Sequence, residues 1–511
     1  MNIKLKKAVI VFSLAVAAAA FMTSCNDNKE PEYSNKVTYW VESAFYEYRN
    51  FAETPRAKKI MEKFDCEIEY KHPPAGQGQE KFNIMIAMGR LPDIIEYNWT
   101  SKYSGGAQKA LSDGIIREID IERDAPNLAA YLKTKPEIDN LIKTDDGKYY
   151  GYHFIRDDEY LQVSAGLIVR EDWLKELGIE YPETIDDWTA MLTAFRDKKG
   201  AKAPLSVSSG VFANGCFVGA FGIGDNLYLD GGEVKYGPVE DAYKDFLMLM
   251  NSWYSQGLLD SDYVSLDIST IQSNILNGVT GASFGSCGSG LGKWMSAAID
   301  ESFSLTGVKY PVLERGQKPK FGQYQFPVTG TCASITRDCS NTELCKKILD
   351  YGYTEEGRML FNFGIEGKSY TMVDGYPTYT DIITNNSEGL SMTVAMEPYT
   401  LSQHEGPFVQ DKRYMEQYAS LTQQKIALEN WMYTDVKNYT MPSVTLTAEQ
   451  RNEIAPLLES IDTYKAEMQA KFIMGIEPLD KFDDFCAELY ARGLDKFLSY
   501  HQDGYERFLN R

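Results

Sequence analysis

The residues best equipped for recognition chemistry stand together in EYNWTSKY, Glu96 to Tyr103, just after the strand-like LPDII. An aromatic face beside amide and carboxylate acceptors suits a ring that carries equatorial hydroxyls. Its carbon face stacks while its hydroxyls find hydrogen-bond partners. Tyr97, Asn98 and Trp99 are therefore candidate ligand contacts; the alternative for Trp99 is a residue that caps a core. VESAFYEY likewise sets Glu42 and Tyr46 just beyond the end of a strand-like run. Trp173 and Trp188 lie at core spacing on amphipathic helices and read as structural.

Catalytic signatures are sparse. GSCGSGLGK, Gly285 to Lys293, lacks the GxxxxGK[ST] spacing because Trp294 follows Lys293, and it contains no GxGxxG. No GxSxG or HExxH occurs. DIERD, Asp120 to Asp124, opens like a calcium loop but lacks the glycine at position six and the glutamate at position twelve, so it reads as a solvated turn. Four isolated histidines and no CxxC argue against zinc. No metal or cofactor is expected. The 73 acids offer many carboxylate pairs, so a surface glycoside-degrading enzyme stays as a competing reading. Nothing else supports catalysis, and the chain is expected not to be an enzyme.

The elements around these residues follow an α/β pattern. KVTYWVE, Thr54 to Asp65, CEIEYKH, Gln79 to Asp93 and IIEYNW read as strand, helix, strand, helix, strand, which implies a sheet covered by helices. DDGKYYGY and YLDGGEVKYG are hairpin candidates. REDWLKELGI ends at Gly178, and PETIDDWTAMLTAF starts at a Thr184/Asp187 cap. YKDFLMLMNSWYSQGLL reads as a further helix. VTGASFGSCGSG reads as a buried strand running into a glycine-rich loop. TCASITRD is a strand, NTELCKKILDYGYTEEG a helix, and Thr447 to Arg511 mostly helical with a break near Gly475 to Pro478.

Composition narrows the class. A chain of 511 residues has room for two or more domains. A net charge of −21 opposes binding to nucleic acid or broad contact with an anionic leaflet. The 34 tyrosines are compatible with sugar stacking without requiring it. MNIKLKK precedes an apolar run, Ala8 to Met22, that falls short of the roughly 20 residues a spanning helix needs and fits a signal peptide. Thr23, Ser24 and Cys25 resemble a bacterial lipobox, although Met22 stands where leucine is usual. Residues 1–24 are thus expected to be cut away and Cys25 to carry lipid. Residues 25–36 then form a polar tether at the extracellular face of the cell membrane. Seven cysteines remain; whether any pair is open, and most read as small core residues.

Five stretches carry a wider resemblance: LPDIIEYNW, LSDGIIREIDIERDAPNLAAYL, VREDWLKELGIEYPETIDDWTAMLTAF, DYGYTEEGRMLFNFGIEGKSY and TYKAEMQAKFIMGIEPLDKFDDFCAEL. In this order they resemble the extracellular solute-binding proteins of ATP-binding-cassette importers, in the carbohydrate-associated lipoprotein group of Firmicutes. The resemblance implies a two-lobe, type II periplasmic-binding-protein-like α/β fold with mixed sheets and a ligand cleft between the lobes. Lobe one is placed at residues 37–152 and 327–375, lobe two at 153–326 and 376–511. The ligand implied is an oligosaccharide, the partner a membrane permease, and the protein a monomer. A peptide or other small polar solute, or a sensing role, are alternatives on the same fold. The aromatic after LPDII falls on Tyr97 or Trp99. The loop after VTGASFG contributes Ser286, with Trp294 beyond it, although relatives often carry tryptophans within that loop. His153 and Phe212 are further candidates.

Overall fold

The computed structural model describes residues 34–43 and 50–511, so Cys25, Tyr46 and nearly all of the tether lie outside the described residues. The first sheet is built as the alternation predicts. Lys36–Val41 pairs in parallel with Glu67–Lys71 on one side and Ile94–Asn98 on the other. Thr331–Ile335 adds antiparallel to Ile94–Asn98, and Tyr152–His153 closes the sheet. Between the parallel strands run the helices Pro55–Phe64 and Gly78–Met88. Local chemistry sets the first helix's ends: the Thr54 hydroxyl accepts the Ala57 N–H, Pro55 pre-sets the opening turn, and Asp65 leaves in the left-handed region.

Asp93 holds this sheet together. One carboxylate oxygen accepts the Thr38 N–H at 2.8 Å and its hydroxyl at 2.6 Å. The other accepts the Ser340 N–H at 2.8 Å and its hydroxyl at 3.1 Å. The entry to the third strand is thereby tied to the first strand and to the loop that leaves Thr331–Ile335. Burial pushes the Asp93 carboxyl up, but these hydrogen bonds outweigh it and hold the group below its usual value.

The second sheet orders Leu305–Gly307, Ala165–Arg170, Ala282–Ser286 and Leu205–Ser206. Its core is rich in aromatic side chains, with Trp188, Trp253, Trp294 and Trp431 all fully buried. Two of these press directly on the strands. A Cβ at Gly166 would stand 2.4 Å from the Trp431 ring, and one at Gly285 would stand 2.8 Å from Trp294. Glycine at those positions lets the indoles seat, and the Trp431 Nε1–H donates to the Leu167 carbonyl at 3.0 Å. Ile185–Lys199 packs on this sheet behind a Thr184/Asp187 capping box.

The structure departs from the sequence reading in several places. The helix expected over NTELCKKILDYGYTEEG is two helices, Thr342–Asp350 and Glu355–Phe363. They are parted at Thr354, whose hydroxyl caps the second by accepting the Gly357 N–H. DDGKYYGY forms a minimal hairpin, a tight turn with one antiparallel bridge, Lys143 to Tyr149, whereas YLDGGEVKYG is a longer one, Leu227–Asp230 with Glu233–Tyr236. Asp124 is buried against Arg123 and Lys346, so DIERD is not a purely solvated turn. Packing also crosses the expected lobe boundaries. Phe363 and Tyr370 join the second core, while Leu401, Phe408 and Val409 join the first.

Three helices, Ala448–Met474, Phe482–Ala491 and Leu494–Leu509, complete the chain. They lie on the second core yet reach back to the first sheet's side. Arg451 donates to the Thr100 and Ser101 carbonyls, each at 3.0 Å, and Arg507 and Arg511 both pair with Asp145.

Replacing Asp93 by alanine leaves Thr38 and Ser340 donors without their acceptor. Asp93→Ala should lower unfolding stability by about 3 kcal/mol, measured by denaturant titration. A loss below about 0.5 kcal/mol would show that the carboxylate does not organise the sheet.

Candidate functional site

Strand direction brings the candidate edge into being. Lys36–Val41, Ile94–Asn98 and Tyr152–His153 run the same way, and Thr331–Ile335 runs against them. Glu42, Asn98 and Phe154 therefore emerge at the edge where Thr329 and Gly330 enter. In the second sheet, Ser286 ends its strand opposite Ala165, which begins its own. Residues 154–164 lead from the first edge to the second, and residues 308–330 lead back. The crossings thus join the two edges, and strand ends of this kind are where α/β folds hold ligands.

On the first edge the Asn98 side chain works in two directions. It accepts the Ser101 N–H at 3.0 Å and donates to the Thr329 carbonyl at 3.0 Å. The Thr329 hydroxyl in turn donates to Glu405 at 2.6 Å. Beneath this chain lies Glu96, which accepts the Tyr39 hydroxyl at 2.5 Å. Burial raises the Glu96 carboxyl to about 7, with the Glu405 charge adding to the rise, against the Tyr39 hydrogen bond and Arg56.

At the start of the first crossing, buried polar atoms find no partner among the described residues: both ring nitrogens of His153 at the strand end, Nη1 of Arg156 and Oε1 of Gln162; buried groups elsewhere, such as Trp188 and Tyr263, are in the same position. Such orphaned groups disfavour a closed apolar packing by about 1–3 kcal/mol each, and they are groups a polar ligand can satisfy. Burial lowers the His153 imidazole to about 3, so it is neutral at ordinary pH. Half-buried Tyr324 and Phe326 stand on the return crossing with ring centroids 5.2 Å apart. Between the two sides opens a groove of about 600 Å³, lined by Asn98, Thr100 and Ser101 from the first side and by Asn226, Tyr236 and Met441 from the second. A smaller space of about 270 Å³ joins Gln162 and Tyr324 to Asn438. A larger groove of about 970 Å³ lies outside the strand ends, where charges of both signs surround the Asp145–Arg507 pair. It touches none of the candidate residues.

The candidate residues divide accordingly. Asn98 lines the groove. Ser286 is half-buried at the facing edge, where its hydroxyl accepts the Gly290 N–H at 3.0 Å and shares a hydrogen bond with Ser289. Glu42 is exposed, with its carboxylate packed on Gly78 at the start of helix Gly78–Met88, where the helix dipole favours an anion. Tyr97 is 6% exposed and wedged between Trp40 and Phe82. Trp99, Phe212 and Trp294 are 0% exposed, so the ligand contact expected of them does not fit this structure. Phe212 packs edge-on to Phe246 at 5.2 Å, Trp294 lies under Gly285, and Trp99 meets Phe82 at 5.4 Å. Each ring is enclosed by packed neighbours, some close in sequence, such as Gly285 to Trp294, and others far, such as Phe246 to Phe212. The residues missed, Tyr324, Phe326, Arg156 and Gln162, carried one usable signal. FGQYQFPV alternates aromatics with glutamines just before TCASI, but only the antiparallel direction of that strand brings its start to the ligand edge.

The glycine-rich stretch also has a structural account. Cys287–Gly292 forms a wide-turn helix that leads into Lys293–Ala297. Gln424 donates to the Cys287 carbonyl at 2.8 Å, and a Cβ at Gly288 would stand 2.4 Å from the Tyr418 hydroxyl. Small residues there admit Tyr418 and Gln424. Among the described residues, no group of three or more His, Cys, Asp or Glu is placed to hold a metal ion, and no helix is long and apolar enough to cross a membrane.

A family profile described as bacterial extracellular solute-binding protein matches residues 50–359. Lipoprotein LipO of Bacillus subtilis is 24% identical over 449 residues, covering 81% of this chain and 84% of that one. The fructooligosaccharide ABC transporter substrate-binding protein FusA of Streptococcus pneumoniae is 25% identical over 467 residues, covering 84% and 82%. Among solved structures, an HMO-binding, ABC-transporter-associated solute-binding protein of Bifidobacterium longum infantis superposes with a TM-score of 0.75 at 18% identity, over 93% of this chain and 99% of that one. The likeness gives the present chain the same two-lobe α/β fold.

Glu96 makes a pH signature. Its folded value lies above the ordinary 4.5, so the stability it contributes is fully present below about pH 4.5 and is lost as pH rises through about 7. The loss should approach about 3 kcal/mol, and Glu96→Gln should remove it, as read from denaturant midpoints across that window. Parallel pH profiles for the two proteins would refute the assignment.

Proposed function

The chain belongs to the bacterial extracellular solute-binding proteins, and from that premise we propose that it captures an oligosaccharide between its lobes for an ATP-binding-cassette permease. The observation that supports this reading is a pair of spaces beside the strand ends, one lined by Asn98 and one by Gln162 and Tyr324, with the half-buried ring of Phe326 next to Tyr324. Tyr324 and Phe326 offer faces for sugar carbons; Asn98, Arg156 and Gln162 offer donors and acceptors for hydroxyls, while His153, 0% exposed, is closed to a ligand in this structure. Two relatives with sugar ligands in their names, for fructooligosaccharide and for HMO, support the ligand class. Capture asks for no bond making, and no catalytic role is assigned to any residue.

The lobes are proposed as the two cores with their sheets. The first takes residues up to His153 together with 328–361 and 401–409; the second takes 161–326, 363–396 and the C-terminal helices. Rotation about the crossings would close the second edge onto a sugar already held at the first, and the closed form would present both lobes to the permease. The lipid on Cys25 would keep the receptor near that permease and raise its effective concentration there. The protein works as a monomer in this scheme.

Thermal-shift screening against fructo-, galacturono- and milk-type oligosaccharides, with peptides as the contrast, tests the ligand class. A stabilising shift is expected from one oligosaccharide class and none from peptides; the reverse pattern would sink the sugar reading. For the sugar that binds, Asn98→Ala and Tyr324→Ala should each weaken Kd roughly tenfold in calorimetry. Cys25→Ser should move the protein from the detergent phase to the aqueous phase on detergent partitioning. Retention of that variant in the detergent phase would exclude the anchor.

A further inference from the structure

Cys339 and Cys345 stand with their sulfurs 3.5 Å apart, Cys339 in the loop that leaves Thr331–Ile335 and Cys345 on helix Thr342–Asp350. We propose that this pair is a disulfide site, closing a seven-residue ring over the turn Cys339–Cys345. The sulfurs touch but are unbonded, so a small side-chain rotation separates the dithiol from the bond. Cys339 is 9% exposed and Cys345 0%, which makes Cys339 the sulfur an incoming reagent meets first.

The surroundings favour that order of attack. The hydrogen bond between the two thiols holds the Cys339 thiol below its usual value, with help from the Asn341 backbone at the helix start and despite burial. The same hydrogen bond, with burial, holds Cys345 as the protonated partner. With a low-molecular-weight disulfide as oxidant, the Cys339 thiolate attacks one of its sulfurs and releases one thiolate. Cys345 gives up its proton and displaces the second. One sulfur–sulfur bond forms in the protein, one breaks in the oxidant, and two electrons and two protons leave on two small thiols. Extracellular proteins meet oxidants of this class.

The ring would matter for the sheet. It encloses Ser340, both of whose donors go to Asp93, and Asn341, whose side chain caps the helix by accepting the Leu344 N–H. Asp338, next to the ring, accepts the Leu91 N–H at 2.9 Å. The staple would therefore restrain the loop that pins the third strand's entry. Cys66 lies close enough to influence Cys345 electrostatically and is the rival partner.

The full-length purified protein, held folded in oxidised glutathione, is blocked with an alkylating agent and cleaved with trypsin. The peptide DCSNTELCK, Asp338 to Lys346, should be recovered two hydrogens lighter than its reduced form and without alkyl groups. Prior reduction should restore two alkylation sites. Cys66→Ser should leave the ring intact and Cys339→Ser should abolish it, each checked for native circular dichroism. Recovery of the peptide doubly alkylated or glutathionylated from folded protein, or a Cys66–Cys345 cross-link, would overturn the proposal.

Discussion

The first lobe depends on a single carboxylate with four hydrogen bonds. Asp93 draws on the main chain and side chain of Thr38 and of Ser340, so it sets where the third strand begins against the first strand and against the loop after Thr331–Ile335. Register follows from that anchor. A slip of one residue would turn every side chain of a strand to the other face. With the register held, Glu42, Asn98 and Thr329 come out at one edge, and Glu96 points inward to Tyr39. The same strand thus carries two acids with opposite fates. Asp93 is held below its usual value by donors, and Glu96 is lifted by burial because the Tyr39 bond and Arg56 do not offset it.

The second lobe obeys a different constraint, the seating of large rings against strands. Trp294 and Trp431 lie where Gly285 and Gly166 leave room, and removing such a buried ring typically costs about 3–5 kcal/mol. Spending glycine and small residues near Ser286 to admit Trp294, Tyr418 and Gln424 leaves that loop without an aromatic of its own. Half-buried rings appear instead on the return crossing, at Tyr324 and Phe326. On the first crossing Arg156 and Gln162 each keep a buried polar atom without a partner among the described residues, as do buried groups elsewhere such as Trp188 and Tyr263.

Much of the fold was legible residue by residue. Thr54 with Pro55, the Thr184/Asp187 box, Gly178 and the Gly231–Gly232 hairpin all mark ends that the structure keeps. Where reading failed, a local signal was weak or ambiguous. Thr354 can cap a helix or sit within one, and NTELCKKILDYGYTEEG has helical periodicity throughout. The site was less legible than the fold. Asn98, read from its place after LPDII, lines the groove; Trp99, taken for its ring, and Phe212 and Trp294, taken from the family resemblance, are enclosed in the cores, and neither ring chemistry nor a family pattern tells a core from a cleft.

The amino-acid sequence by itself determined the family, the alternation of strands and helices, and most of their ends, because caps, turns and periodicity act over a few residues. Tertiary structure alone decided which aromatic rings are open to a ligand, which acid is raised and which lowered, and which two of the cysteines stand in contact. Those outcomes depend on neighbours such as Thr38 with Asp93, Gly285 with Trp294, or Asn98 with Thr329. These lie tens to hundreds of residues apart or are placed by a fold no local pattern encodes, so burial and partnering are settled only when the chain is packed.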